Sequence, residues 1–251
     1  MTKVGILGYG EIGKSIEQVY LENKKNTFDL RIKDLDRNDN LAGIDILNIC
    51  IPYKSETQFV GSVSSVISQF NPKLTIIHST TAPGTTNILT DLTEALIVHS
   101  PIRGIHPNLY EGLMTFVKFI GSDTAEAAEL AKSHCEELGI SSYICNSSRT
   151  TELGKLFSTT YYGLTIAWHG EMQKICKQMG VSFEQAVTIF NETYNEGYQK
   201  LDRGDVVRPV LYPPEGGIGG HCIIPNVEIL NTYSSSLVFE LIQQYRKGEV
   251  K

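Results

Sequence analysis

Apolar residues follow two rhythms along this chain. Over residues 1–148, short unbroken apolar runs alternate with stretches of helical period, and from residue 150 onward only the helical period persists. The runs at 3–7, 30–33, 44–51, 74–78, 95–99, 117–121 and 142–145 are too short for ordinary helices. Their lack of regular alternation is the pattern of strands buried on both faces of a parallel sheet. Between them Ile16, Val19 and Tyr20, then Phe59, Val63, Val66, Ile67 and Phe70, then residues 125–138, recur at the spacing of one helix face. Alternating strands and helices predict an α/β domain with a doubly wound parallel sheet over 1–148.

The second rhythm runs through Leu153, Leu156, Phe157, Thr160, Tyr161, Leu164, Trp168, Met172, Ile175 and Met179 to Gly180. It predicts one helix of about eight turns. Ser182 with Gln185 three residues later forms a capping-box pattern that opens another helix running toward Leu201. Residues 149–251 are therefore expected to form a smaller, all-helical domain. A long helix with a spare apolar face is suited to burial against a second copy, so a homodimer through 150–180 is expected. The short stretch after Cys222 has room for one more helix at most.

The first apolar run ends in Gly8-Tyr9-Gly10-Glu11-Ile12-Gly13, and helical spacing begins at once. A glycine turn between strand and helix suits a dinucleotide. Gly8 makes the turn, Gly10 lets a pyrophosphate approach the backbone, and Gly13 lets helix and strand pack closely. The helix N-terminus, with Glu11 and Ile12 in its first turn, then faces the phosphates. Asp34 ends the second strand about twenty residues on, placed to accept hydrogen bonds from ribose hydroxyls, which favours NAD over NADP. The N-terminal domain thus reads as Rossmann-type. Tyr9, Pro52, Ser79 and Thr80 complete the expected cofactor surface, the last three at strand exits where open sheets bind ligands.

Composition narrows the partners. The chain has 251 residues, 41% of them hydrophobic, enough for a full core, and a net charge of -6 without long runs of one sign. That balance gives no encouragement to nucleic acid or anionic membranes and favours a small-molecule ligand. No apolar run is long enough to span a bilayer and no signal peptide precedes Val4, so a cytoplasmic protein is expected. Cys50, Cys135, Cys145, Cys176 and Cys222 are widely spaced and lack CxxC pairing. They suggest neither a disulfide framework nor a zinc site.

The candidate chemistry lies late in the chain. Gly216-Gly217-Ile218-Gly219-Gly220-His221-Cys222 delivers one cysteine behind four glycines, which let a ligand approach the main chain. A thiol there is a candidate nucleophile if its surroundings favour the thiolate. Lys155 stands among apolar neighbours near the start of the long helix, and Arg103 and His106 share the loop after the fifth strand. Arg103 could grip a carboxylate or phosphate, and His106 could serve as a base near neutral pH.

Taken in order, these motifs resemble the UDP-glucose/GDP-mannose dehydrogenase family. The carriers are GYGEIG with Asp34, the loop Ser79-Thr80-Thr81-Ala82-Pro83-Gly84-Thr85-Thr86, Ser100-Pro101, Glu152-Leu153-Gly154-Lys155-Leu156-Phe157, Arg208 before Tyr212, and the GGIGGHC run. The resemblance implies an NAD-dependent oxidoreductase in which Cys222 attacks an aldehyde to form a thiohemiacetal. It further implies that Lys155 stabilises negative charge on oxygen, Thr80 positions water or cofactor, and Arg208 and Gly219 contact substrate. The chain departs from the family where two glutamates are implied, reading Ile102 and Arg103-Gly104-Ile105-His106 instead. It also carries Thr159 for an implied asparagine and Asn226 for an implied aspartate. Little chain follows Cys222, so a form without the family's nucleotide-sugar-binding third domain is expected. Two other readings stay open: a single hydride transfer of the β-hydroxyacid dehydrogenase type, and an NAD-binding regulatory protein that has lost its chemistry.

Overall fold

A computed structural model describes residues 1–25, 27–220 and 222–248, and divides them between two compact units, Met1–Lys155 and Leu156–Lys251. In the first unit the elements are β1 (Thr2–Leu7), α1 (Glu11–Leu21), β2 (Phe28–Lys33), β3 (Ile46–Ile49), α2 (Glu56–Phe70), β4 (Leu74–Ile77) and α3 (Thr85–Thr93). They continue with β5 (Ile97–His99), α4 (Leu109–Thr115), β6 (Lys118–Gly121), α5 (Ala125–Glu137), β7 (Ser142–Cys145) and the start of α6 (Ser148–Met179). The seven strands lie in the order β2-β1-β3-β4-β5-β6-β7. All pairs are parallel except β5 with β6, which meet antiparallel at His99 and Gly121, so the parallel sheet expected from sequence carries one reversal.

Both sheet faces are covered, which is why the strands read as continuous apolar runs. Val4, Ile6 and Ile76 pack on one face with Ile16, Val19 and Tyr20 of α1 and Ala127, Ala131 and Cys135 of α5. Leu47, Ile49 and Ile77 pack on the other with Phe59, Val63 and Ile67 of α2 and Leu89 of α3. The chain leaves β1 toward β2 on one side and returns to β3 on the other, so the order reverses between β1 and β3. Ligands bind at the carboxyl end of such a switch point. The helix α4 has no counterpart in the sequence reading, because Leu109 and Leu113 over two turns are too few apolar positions to declare a period.

The second unit contains the rest of α6, a π-helical turn (Glu184–Thr188), α7 (Ile189–Lys200), a 3-10 turn (Gly204–Val206), α8 (Ile223–Asn231) and α9 (Leu237–Gln244). The division between the two compact units falls inside α6, after Lys155. The expected cap at Ser182 is present, its Oγ accepting from the Gln185 N–H at 3.4 Å. Two short helices follow Cys222 where one at most was expected. The serine run after α8 breaks the period, and Ser236 caps α9 by accepting from the Val238 N–H at 3.2 Å. Among the described residues no helix is long and apolar enough to cross a membrane.

One polar chain runs through the core of the first unit. Asn48 of β3 donates to the Tyr20 hydroxyl at 3.1 Å, its Oδ1 lies 2.8 Å from His78 Nε2, and Tyr20 OH lies 2.7 Å from His134 Nε2. His78 Nδ1 and Lys118 Nζ both reach the Ser100 carbonyl, at 3.2 and 2.7 Å. A cavity of about 20 Å³ between Tyr20, Asn48, His78, Lys118, His134 and Cys135 has room for about one water.

Burial lowers the Lys118 ammonium from its ordinary 10.5 to about 8, while the neighbouring Cys135 and Cys50 thiols are pushed up. Between those two values for lysine the unfolded chain holds a proton that the folded chain has released. Stability should therefore rise with pH across that window. Subtracting Lys118→Met from wild type in urea unfolding at pH 7 and pH 10.5 should isolate a rise on the order of 3 kcal/mol. Parallel pH profiles for the two proteins would show that Lys118 is not held in a desolvated state.

Candidate functional site

The glycine turn sits where the sheet order reverses, and its three glycines are constrained differently. Gly8 has φ +95°, and a Cβ there would lie 2.8 Å from the backbone of Cys50 and Ile51 at the exit of β3. A Cβ on Gly13 would lie 2.1 Å from the Gly8 carbonyl oxygen. Around Gly10, by contrast, a Cβ would meet nothing within 4 Å. Two glycines are thus demanded by the fold, and the third leaves an open flank at the N-terminus of α1, where backbone N–H groups and the helix dipole favour an anion.

The remaining expected cofactor residues surround this turn. The Tyr9 N–H donates to Asp34 Oδ2 at 2.9 Å, which fixes the acidic residue beside the turn at the end of β2. The Tyr9 hydroxyl donates to Glu17, and its ring is flanked by Lys14 and Arg37, each 5.7 Å from the centroid. Ile12 packs into the core, and Pro52 is exposed just beyond β3. Ser79 is buried and donates to the Ile51 carbonyl at 2.6 Å, tying the exits of β3 and β4 together, so its hydroxyl is spent on the protein. Thr80 beside it is half-buried.

A side chain that the sequence reading passed over organises the next loop. Glu152, one turn into α6, is fully buried. Its Oε2 accepts from the Gly84 N–H at 2.6 Å, and its Oε1 accepts from the Thr86 N–H at 2.9 Å, the Thr86 hydroxyl at 2.7 Å and the Thr81 hydroxyl at 3.4 Å. Burial pushes this carboxyl up, and the four hydrogen bonds oppose that shift. Thr151 alongside lies 2.8 Å from His99 Nδ1, and burial drives that imidazole down to about 3, leaving it neutral. One turn further on, Lys155 Nζ donates to the Ile102 carbonyl at 2.8 Å. At the position where the family resemblance implies a glutamate, the chain therefore gives the lysine a backbone oxygen, and the Ile102 side chain is buried.

The two basic residues of the loop after β5 part company. His106 Nδ1 lies 2.5 Å from Glu11 Oε2, at the N-terminus of α1. Arg103 lies over the rings of Phe116 and Phe119, 5.2 and 5.5 Å from their centroids.

In the second unit Cys222 is the half-buried residue preceding α8, and His221 before it lies outside the described residues. Asn226 on α8 is buried and donates to Thr159 Oγ1 at 2.7 Å. The two helix positions at which the chain departs from the pattern it resembles therefore meet, and the Thr159 hydroxyl donates in turn to the Leu156 carbonyl at 3.0 Å. Gly219 is exposed, close to Lys247. The Arg208 N–H donates to Asn195 Oδ1 at 2.7 Å, its carbonyl accepts from Asn195 Nδ2 at 2.9 Å, and its guanidinium lies 3.6 Å from the Tyr194 ring centroid.

Fold and glycine turn together define a Rossmann-type unit followed by a helical unit. Residues 149–248 match the sequence model for the central domain of the UDP-glucose/GDP-mannose dehydrogenase family. A UDP-N-acetyl-D-mannosamine dehydrogenase of Methanococcus vannielii is 27% identical over 205 residues, covering 76% of this chain and 45% of the relative. The chain thus spans about half the length of that relative. The solved structure of a UDP-D-ManNAc dehydrogenase from Pyrococcus horikoshii superposes with a TM-score of 0.75 at 17% identity, covering 97% of this chain and 69% of the other. A 3-hydroxyisobutyrate dehydrogenase from Mycobacterium tuberculosis superposes at 0.70 and 13% identity, over 98% of this chain and 92% of that one. At these identities the superpositions speak for the fold.

Glu152 can be tested directly. Glu152→Gln sets an amide NH2 against one of two obligate backbone donors, Gly84 or Thr86. We expect a loss of about 1–3 kcal/mol in urea unfolding, as for a buried donor left unpaired. Unchanged stability would show that the carboxylate does not hold the loop.

Proposed function

We propose that the chain is an NAD-dependent dehydrogenase that oxidises an alcohol or aldehyde carbon of a sugar-like substrate, a nucleotide sugar being the class its relatives' names point to. The observation that carries this reading is the glycine turn, in which Gly8 and Gly13 are jammed against backbone while the flank of Gly10 stays open beside Asp34. That geometry fits a dinucleotide: the N-terminus of α1 takes the pyrophosphate, the Asp34 carboxylate accepts from the ribose, and Thr80 flanks the cofactor. NAD supplies a hydride acceptor. His106, bound to Glu11 at the same helix terminus, belongs to the cofactor side of this reading.

Lys155 contributes its ammonium to the substrate oxygen, where fixed positive charge stabilises developing negative charge. In the covalent version, the Cys222 sulfur bonds to the aldehyde carbon while the carbonyl oxygen takes a proton, giving a thiohemiacetal. Removal of hydride from that carbon and of the proton from its hydroxyl leaves a thioester, and water cleaves it to the acid and the free thiol. Arg208, pinned by Asn195, and Gly219 are assigned to substrate. A second reading, a single hydride transfer without a bond to Cys222, is favoured by Ile102 and Asn226, which offer no carboxylate for the hydrolytic half.

The test is to count NADH formed per substrate consumed across nucleotide sugars, sugar phosphates and hydroxy acids, with wild type and Cys222→Ser. Two equivalents, lost in the variant, support the thioester route. One equivalent that survives Cys222→Ser establishes the second reading, and failure to bind NAD overturns both.

We further propose a homodimer through α6. Phe157, Tyr161, Trp168, Ile175 and Met179 are exposed at intervals of four and seven residues, an apolar stripe of the kind that a second helix covers. Light scattering should give a dimer for wild type and a monomer for Trp168→Glu. A monomeric wild-type protein at micromolar concentration would remove this proposal.

A further inference from the structure

The turn that carries Cys222 has little rigidity of its own. Gly216, Gly217 and Gly220 have φ of +69°, +100° and +86°, conformations that glycine adopts freely and leaves as freely. What fixes it comes from the other end of the same unit. The Ile218 N–H donates to the Tyr245 carbonyl at 2.5 Å, and the Lys247 N–H donates back to the Ile218 carbonyl at 3.0 Å. These two bonds make a parallel bridge between Ile218 and Arg246.

Segment 245–247 is itself anchored by one side chain. The Tyr245 ring fills a notch in α6: a Cβ on Gly170 would lie 2.2 Å from its Cε1. Its hydroxyl donates to Glu171 Oε1 at 2.6 Å, and Lys174, paired with Glu171 at 2.9 Å, lies 4.5 Å from the ring centroid. Arg246 adds an ion pair to Glu228 of α8 at 2.9 Å. On the far side of the cysteine, Ile223 enters a second notch in α6, where a Cβ on Gly163 would lie 2.5 Å from its Cγ2. The Cys222 turn is therefore held at both ends on the bare flank of one helix, and at Ile218 the hold runs through Tyr245.

We propose that Tyr245 is the positioning residue of the Cys222 turn, a clasp that sets where the thiol stands without touching substrate. The inference rests on Cys222 being the reactive residue of the function proposed above, but its test is independent of turnover. Iodoacetamide labelling, read cysteine by cysteine by mass spectrometry, reports the Cys222 thiol directly. Cys176, buried in the same unit at 7% exposure, reports whether the unit as a whole has loosened.

Tyr245→Ala should label at Cys222 about tenfold faster than wild type, the consequence of roughly 1.4 kcal/mol of lost local closure, with Cys176 still protected. Tyr245→Phe keeps the ring in its notch and should restore wild-type protection. Lys247→Pro removes one bridge hydrogen bond at an exposed position, and should speed Cys222 in the same direction without disturbing the core. Unchanged Cys222 labelling in Tyr245→Ala and Lys247→Pro overturns the clasp. Cys222 and Cys176 rising together in Lys247→Pro overturns it as well, because the segment then supports the whole unit and not the turn. A Cys222→Ser enzyme that still turns over removes the catalytic reading and leaves the labelling result standing.

Discussion

The first unit depends on a carboxylate that water cannot reach. Glu152 joins the loop after β4 to the N-terminal turns of α6, and those turns also place Thr151 on His99 and Lys155 on Ile102. Three pieces of the first unit, the exits of β4 and β5 and the start of the long helix, are thereby held to one another by polar contacts. Desolvating a carboxylate costs several kcal/mol, and the site is stable only because two backbone N–H groups and two hydroxyls converge on it. The hydroxyl-rich composition of Thr81 to Thr86 follows from this need. So does the break at Pro83-Gly84, where φ of +98° at Gly84 turns its N–H toward the acid.

How far the sequence revealed this depends on whether a constraint is local. The glycine turn was fully legible, since Gly8 and Gly13 answer to backbone sterics within a dozen residues and Asp34 answers to strand length. The strands were legible because burial on both faces erases alternation. Glu152 was not legible as an anchor, because a glutamate near a helix start reads as an exposed, dipole-favoured residue, and its four donors lie about seventy positions away. The helix α4 and the two short helices after Cys222 escaped for a different reason. Each spans too few turns for its period to stand out from a loop.

The Cys222 region shows the same division. The glycine run announces a special backbone, but the clasp that gives it a position combines Gly163, Gly170 and Tyr245, three residues that are individually ordinary. The departures at 159 and 226 likewise read as two separate losses along the chain. In three dimensions they are joined by one neutral hydrogen bond, Asn226 Nδ2 to Thr159 Oγ1, and the Thr159 hydroxyl donates on to the Leu156 carbonyl at 3.0 Å. A charged acid buried at 226 would have cost more to desolvate than the neutral amide does.

The same substitution of neutral for acidic groups bears on the electrostatics around Lys155. An acid at 102 would offer the ammonium a full negative charge and hold its proton and its attention alike. Ile102 offers a carbonyl dipole, which orients the ammonium at 2.8 Å while leaving its charge unneutralised by that partner. The Ile102 side chain itself has no group that could exchange a proton with the lysine. The departures from the pattern the chain resembles share one chemical direction. At 102 and 226 an apolar side chain and an amide stand where the resemblance implies carboxylates, so neither side chain can take up a proton near neutral pH.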